Sequence, residues 1–505
     1  MQIEPTEQAF ADKYARGEPQ VVWTTLVADL ETPVSAYLKL GSGKGQSFLL
    51  ESVEGGEARG RYSIIGLEPD LVWRAHGSEA EINRDPRATP DGFVPQNAPP
   101  LAALRALITE SRIALPDGLP PMAAGIFGYL GYDMVRLMEE LPPPNPDPIG
   151  IPDAVLVRPT LIVVFDTVKD TMTVVTPVRP QNGVDAKSAL ARAVERLSGV
   201  LDALDKPLDK SLAEVDEGPL GEPPKSNTTS DEYKAIVGRA KEYIAAGDAF
   251  QIVLAQRFEA PFSLPPFSLY RALRRTNPSP YLYFLDFKDF AVAGSSPEIL
   301  VKVAGDTVTI RPIAGTRPRG VSPHKDKALE EELLADEKER AEHLMLLDLG
   351  RNDVGRVARI GTVTVTDKFF IERFSHVMHI VSNVEGKLDE KYDALDALVG
   401  GFPAGTVSGA PKVRAMEIID ELEKEKRGLY AGCVGYFSAA GEMDTCIVLR
   451  TALIKNGTMY VQAGAGIVTD SDPDSEQVEC VNKAKALFRA AEEARRFASQ
   501  AKRGQ

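Results

Sequence analysis

Apolar and polar residues alternate along this chain with two different periods. Apolar positions three to four apart predict helices over Asp231–Ala246, Lys325–Leu349, Pro411–Lys426 and Pro473–Ala498. Between them, Tyr281–Pro312 alternates in short runs broken at Lys288-Asp289 and Gly305-Asp306, which predicts strands joined by turns. Tyr430–Thr469 reads as a three-stranded meander, with Gly441 in one turn and Asn456-Gly457, a type I′ hairpin signal, in the other. Ala154–Val178 alternates and pauses at Val168-Lys-Asp-Thr171, a hairpin. Strands in adjacent pairs, with helices gathered elsewhere, predict an α+β fold of antiparallel sheets.

Two of these helices carry acids on the face that their apolar stripe turns inward. Glu339-x-x-Glu342 shares its stripe with Leu346 and Leu349. Glu476-x-x-Glu479 continues through Ala486, Leu487 and Ala490, behind a helix start with Asp472 as N-cap and Pro473 at the first helical position. Spacing alone favours solvated faces. If the helices converge, four oxygen ligands suit magnesium, which keeps several waters and shares its shell with a substrate anion.

At 505 residues the chain exceeds one simple core. Residues 204–230, rich in proline, glycine, serine and acids without an apolar period, read as a linker between regions 1–203 and 231–505. A net charge of -15 argues against nucleic-acid or anionic-membrane partners, while leaving room for a local basic pocket. The first 17 residues lack the apolar core of a signal peptide, and runs such as Thr160-Leu-Ile-Val-Val-Phe165 are too short to span a bilayer. Cys433, Cys446 and Cys480 fit a reducing cytoplasm.

Two glycine-rich segments fail as nucleotide motifs. Gly41-Ser-Gly-Lys-Gly-Gln-Ser47 has Leu38 and Gly45 at positions where a phosphate loop needs glycine and a hydroxyl, and Gly464-Ala-Gly466 has Thr469 in place of a third glycine. Both read as tight turns. Gly405-Thr-Val-Ser-Gly-Ala-Pro-Lys412 leads into a helix whose free N–H groups, with Lys412 beside them, would cradle an anion. An ordinary capped helix explains that segment equally well.

Taken with Ser296-Pro-Glu298, Arg311-Pro-Ile-Ala-Gly-Thr-Arg317, Glu342-His343 and Asp348-Leu-Gly-Arg-Asn-Asp353, these segments resemble the chorismate-utilising enzymes, in particular their anthranilate synthase component I branch. The resemblance is nearly continuous from about residue 230 to 490. It is patchier before that, carried by Phe48–Ser52, Arg61–Gly66 and Gly125–Asp133. It implies two antiparallel sheets packed as a sandwich with helices on the outer faces. It also implies magnesium-dependent amination of chorismate by ammonia, followed by pyruvate loss to give anthranilate, the first committed step of tryptophan biosynthesis, under feedback inhibition by tryptophan.

The resemblance assigns roles residue by residue. Glu342 and Glu479 would hold magnesium, supported by Glu339 and Glu476. Tyr430 and Arg450 would take the enolpyruvyl carboxylate with the backbone of Gly464, Ala465 and Gly466, while Gly315, Thr316 and Thr406 would lie against substrate, to which the anion cradle beside Lys412 adds a further candidate contact. Glu298 would protonate the departing hydroxyl, a task for a carboxylic acid of raised pKa. His379, in Ser375-His-Val-Met-His379, would serve pyruvate loss. Gln251 stands where water-adding relatives carry a lysine base, and Ala314 where aminodeoxychorismate synthases carry a nucleophilic lysine. That pair leaves ammonia as nucleophile and anthranilate as product. Aminodeoxychorismate synthase component I and a non-catalytic tryptophan-sensing relative are the alternatives. Leu50-Glu51-Ser52 and Asn277-Pro-Ser-Pro-Tyr281 resemble the tryptophan site, with Leu50, Glu51, Ser52, Pro280, Tyr281, Leu282 and Cys446 in contact. No glutaminase signature is present: Cys433 lacks a nucleophile-elbow context. Nitrogen would come from a glutamine amidotransferase subunit, component II, in a heterotetramer, or from free ammonium.

Overall fold

The computed structural model describes residues 1–54, 58–208, 223–374 and 377–497. Residues 209–222 of the expected linker, Ser375-His376 ahead of His379, and Ala498 lie outside the described residues.

Every ladder that joins the named strands is antiparallel, and the ladders form two sheets. One runs through Gln251–Pro261, Thr458–Ile467, Thr451–Lys455, Phe290–Ser296, Tyr281–Asp286, Ser47–Glu54 and Ala58–His76. The other runs through Ala154–Asp166, Gly125–Leu130, Cys433–Ser438, Met443–Ile447, Ile299–Ala304, Thr307–Ile310 and Val377–Lys387. The long strand Ala58–His76 also pairs with Ala154–Asp166, which joins the two sheets at one side. Ser52 lies opposite Tyr281 and Gly128 opposite Gly435, so the 204–230 boundary does not divide the sheets.

Strand alternation builds the layers. Phe48, Tyr283, Val292 and Leu453 of one sheet meet Phe127, Tyr129, Val434 and Tyr436 of the other in a shared core. The outer face of the first sheet is covered by Ser230–Ala246, Pro266–Thr276 and Pro473–Glu493. That of the second is covered by Glu337–Gly355 and Ala394–Gly401. This is the expected sandwich with helices outside. Among the described residues no helix is long and apolar enough to cross a membrane.

Three local expectations change. The helix read over Lys325–Leu349 is two helices, Pro323–Ala335 and Glu337–Gly355. Asp336 ends the first and caps the second, its carboxylate accepting from the N–H groups of Lys338 and Glu339. The meander has four strands, because the chain crosses from one sheet to the other over residues 448–450, with Arg450 at φ 48. Gly464–Gly466 lies inside the strand Thr458–Ile467 and is no turn, since it pairs fully with Val253–Ala255. The Gly41 segment is a turn, as expected.

Candidate active site

Glu298 sits where the chain crosses between sheets, after Phe290–Ser296 and before Ile299–Ala304, and is 4% exposed. Burial pushes its pKa up to about 8, opposed by hydrogen bonds from Thr406 and the Ile313 N–H and by the charge of Arg450. Thr406 Oγ1 donates to Glu298 Oε1 at 2.8 Å. The side chain is therefore a carboxylic acid at neutral pH, with a proton to give.

His379 lies opposite Thr316 in the ladder between Ile313–Pro318 and Val377–Lys387. Its Nδ1 is 3.0 Å from the Gly315 carbonyl and 3.1 Å from Thr316 Oγ1. A carbonyl only accepts, which places the proton on Nδ1 and leaves the Nε2 lone pair free. Burial and the charges of Arg450 and Lys483 push its pKa down to about 4, so the ring is a neutral base at pH 7.

Arg450 is half-buried, and desolvation lowers its pKa while the charge of Glu298 pulls the other way. It holds a left-handed backbone conformation rare for a side chain of this size, the kind of strain that collects at functional positions. With Asn277, Val478, Glu479 and Lys483 it lines a cavity of about 780 Å³. Lys483 was not singled out from the sequence, although its i,i+4 spacing from Glu479 was visible. It pairs with Glu479 at 2.8 Å and donates to the Gly464 carbonyl at 2.9 Å.

The glutamates are only partly gathered. Glu342 has a raised pKa from burial and then from the charges of Glu339 and Glu479, so these acids bear on one another across two helices. Glu476 is raised by burial and by Glu479. Among the described residues no three acidic, histidine or cysteine side chains form a ready metal cluster. Glu339 is drawn to Arg317 at 3.0 Å, and Glu342 accepts from Gln251 Nε2 at 3.4 Å. The residues still suit magnesium, which needs only one or two carboxylates plus substrate and water oxygens. The mutual repulsion at Glu342 is what a dication would relieve. Gln251 Oε1 is buried beside it without a hydrogen-bond partner among the described residues.

The glycines of the strand Thr458–Ile467 permit close approach. A Cβ on Gly464 would come within 2.9 Å of the Tyr430 hydroxyl, and one on Gly466 within 2.5 Å of Gln251 Nε2. Gly315, at φ 75, leaves room for Glu339. Lys412 does not serve as an anion contact. Its ammonium is bonded to both oxygens of Asp353, at 2.9 and 3.0 Å, and both side chains are nearly inaccessible. The helix there starts at Lys412, with Pro411 as N-cap and no side-chain cap.

A second cavity, of about 670 Å³, opens between the sheets, and all seven residues expected at the tryptophan site line it. Two of those side chains point elsewhere. Glu51 accepts from Arg274 at 2.6 and 3.0 Å and from the Tyr270 hydroxyl, on the helix side of its strand. Leu282, directly opposite Glu51, packs with Leu49 and Tyr270 on that same side. Leu50, Tyr281 and Cys446 belong to the inter-sheet core, and the Tyr281 hydroxyl donates to Asp444 at 3.0 Å. Pro297, Ile299 and Ile313 line this cavity too, on either side of Glu298 and its N–H donor.

A sheet-crossing acid, a neutral histidine and a half-buried arginine lie together on this sandwich; the chorismate binding enzyme family model matches residues 46–489, and the chain belongs to that family. It is 58% identical over 499 residues to anthranilate synthase component 1 of Cereibacter sphaeroides, covering 98% of this chain and 99% of the relative. Its identity to anthranilate synthase component 1 of Pseudomonas aeruginosa is 50% over 468 residues, covering 92% and 94%. Among solved structures, anthranilate synthase component I from Streptococcus pneumoniae matches with a TM-score of 0.75 at 39% identity, covering 92% of this chain and 98% of that one. The menaquinone-specific isochorismate synthase of Escherichia coli, at 19% identity and a TM-score of 0.69, shares the fold.

Proposed function

We propose that this chain is the large subunit of an anthranilate synthase, converting chorismate and ammonia to anthranilate and pyruvate. The observation that carries the reading is a protonated Glu298 and a neutral His379 that both feel the charge of one half-buried arginine, Arg450. Glu298 gives its proton to the ring hydroxyl as ammonia bonds to the ring, and water leaves. His379 Nε2 then takes the ring proton whose loss makes the ring aromatic as the enolpyruvyl C–O bond breaks. Arg450, Tyr430 and the Gly464–Gly466 backbone hold the enolpyruvyl carboxylate, with Gly315 and Thr316 against the ring. When bound by Glu342 and Glu479, with Glu339 and Glu476 in outer support, magnesium supplies charge to offset the ring carboxylate and orient it. Gln251 and Ala314 offer neither base nor nucleophile, which supports ammonia over water or a covalent lysine.

Purified chain with chorismate, magnesium and ammonium should form fluorescent anthranilate and release pyruvate. An aminated product without pyruvate would favour aminodeoxychorismate synthesis, and no turnover would favour a sensing role. Glutamine alone should support no reaction. Glutamine-dependent activity should appear on adding the amidotransferase subunit, component II, because ammonia released inside a closed complex reaches the ring before bulk solvent protonates it. Robust glutamine-dependent turnover by this chain alone would contradict that division of labour. In this reading the protein is cytoplasmic and assembles as a heterotetramer.

Region 1–203, joined through 204–230 to the chorismate-binding region 231–505, contributes Leu50 and Ser52 to a tryptophan-binding cavity that is lined mostly by region 231–505, with Pro280, Tyr281 and Cys446 among its walls. Tryptophan there would press on Pro297, Ile299 and Ile313 and so reach Glu298. Ser52 Oγ donates to the Tyr62 carbonyl at 3.1 Å, and Gly60 closes the other side of the serine. Ser52→Phe must therefore project into the cavity. It should weaken tryptophan inhibition about tenfold or more with turnover within about twofold of wild type, read from inhibition curves, and by linkage tryptophan and chorismate should weaken each other's binding by one factor. Unchanged inhibition in a folded variant would place the effector elsewhere.

A further inference from the structure

Beyond the groups that would touch substrate, one buried ion pair is bonded into several walls of the site. Arg427 is 4% exposed and Glu423, the C-cap of the helix Lys412–Leu422, is 8% exposed. Arg427 Nε and Nη2 donate to the two Glu423 oxygens at 2.9 and 2.6 Å. Nη1 donates to the Val407 carbonyl at 2.7 Å and Nη2 to the Val253 carbonyl at 2.6 Å. Glu423 Oε1 also accepts from the Ala255 N–H at 2.8 Å. The guanidinium carbon stands 4.8 Å from the Tyr132 ring centroid and 5.5 Å from that of Tyr430.

Each of these partners adjoins a group the chemistry uses. Val407 follows Thr406, the donor to Glu298. Val253 is two residues beyond Gln251 on one strand, so the two side chains share a face. Tyr430 stands against Gly464. Desolvating an ion pair can outweigh its attraction, and an apolar pair of similar size would often fill such a space with no loss of stability. Apolar side chains could not hold two carbonyls and two rings in fixed relation, whereas a planar fork of five donors can.

We propose that Arg427, oriented by Glu423, is a positioning residue for the amination step, fixing the Gly405–Ser408 turn and thereby the hydrogen bond from Thr406 to Glu298. The inference rests on the anthranilate-forming reading, which gives Glu298 its proton to transfer. Thr406, the Ile313 N–H and the charge of Arg450 are the groups that bear on Glu298 against its burial. The Thr406 bond favours the ionised acid, so loosening it raises the pKa of Glu298 further. The alkaline limb of the rate profile then moves to higher pH while the proton is less well aimed.

The test is Arg427→Lys, which keeps the charge and loses the fork, assayed with chorismate, magnesium and ammonium beside wild type and followed by thermal melting. The expected result is kcat lower by about 10²-fold, as for a displacement of about 1 Å at a reacting group. KM for chorismate should stay within about threefold, and the alkaline limb should shift upward. Glu423→Gln, which leaves Arg427 in place but loosens its aim, should shift the limb in the same direction with a smaller fall in kcat, and it carries the test if Arg427→Lys does not fold. Wild-type kcat and pH profile in the folded variant overturn the proposal, as does a loss of kcat that tracks loss of folded protein with no shift of the limb. Absence of anthranilate formation by wild type overturns the underlying reading instead.

Discussion

Glu298→Gln should lower kcat by about 10²–10⁴-fold with little change in chorismate binding, because glutamine keeps the shape and loses the transferable proton. Wild-type activity with ammonium should rise with pH as more free NH3 forms, then turn over as Glu298 ionises near its pKa of about 8. The variant should lose that descending limb. The same group links pH to stability. Its folded pKa lies above the unfolded value, so its contribution to stability is fully present below about 4.5 and is lost as pH rises toward about 8. Glu298→Gln, which never ionises, should gain in melting temperature relative to wild type across that window and hold a constant difference above it. A variant with near-normal kcat, or with no pH-dependent gain, would remove Glu298 from the acid role.

The second large effect concerns the cation. Glu342→Gln or Glu479→Gln takes one anionic ligand from a site that would offer a dication only two direct carboxylates. Several kcal/mol of charge stabilisation correspond to at least about 10²-fold in turnover at fixed magnesium. A readout independent of turnover is the magnesium-dependent rise in melting temperature, which follows from binding to the folded state alone. It should require much higher magnesium in either variant. Wild-type magnesium dependence in both variants would sink the assignment.

Much of this was legible because period and turn chemistry are local. The hairpins at Lys288-Asp289, Gly305-Asp306 and Asn456-Gly457 and the capped helix at Asp472 sit where the pattern places them. Even the misplaced side chain of Glu51 was readable. Strict alternation through Leu50-Glu51-Ser52 puts it on the opposite face from its neighbours. What the pattern could not supply was long-range pairing. Asp353 takes the charge of Lys412 from 59 residues away, and nothing near either residue announces it. The crossing at Arg450 hides inside a run of strand-forming residues. The acidity of Glu298 depends on burial at another crossing, and only the family resemblance pointed to it.

The ladder that sets Ser52 against Tyr281 also constrains how the protein can be made. The strand Ser47–Glu54 leaves the ribosome with one edge unpaired, and its partner follows more than two hundred residues later. At about 5–20 residues per second, that edge stays open for on the order of ten to fifty seconds. The strand Gly125–Leu130 waits longer still for Cys433–Ser438. An open edge is a template for pairing with other chains, and crowded polysomes bring such edges together. Translation speed and holdase chaperones thus bear on the yield of this protein before its catalytic groups ever meet.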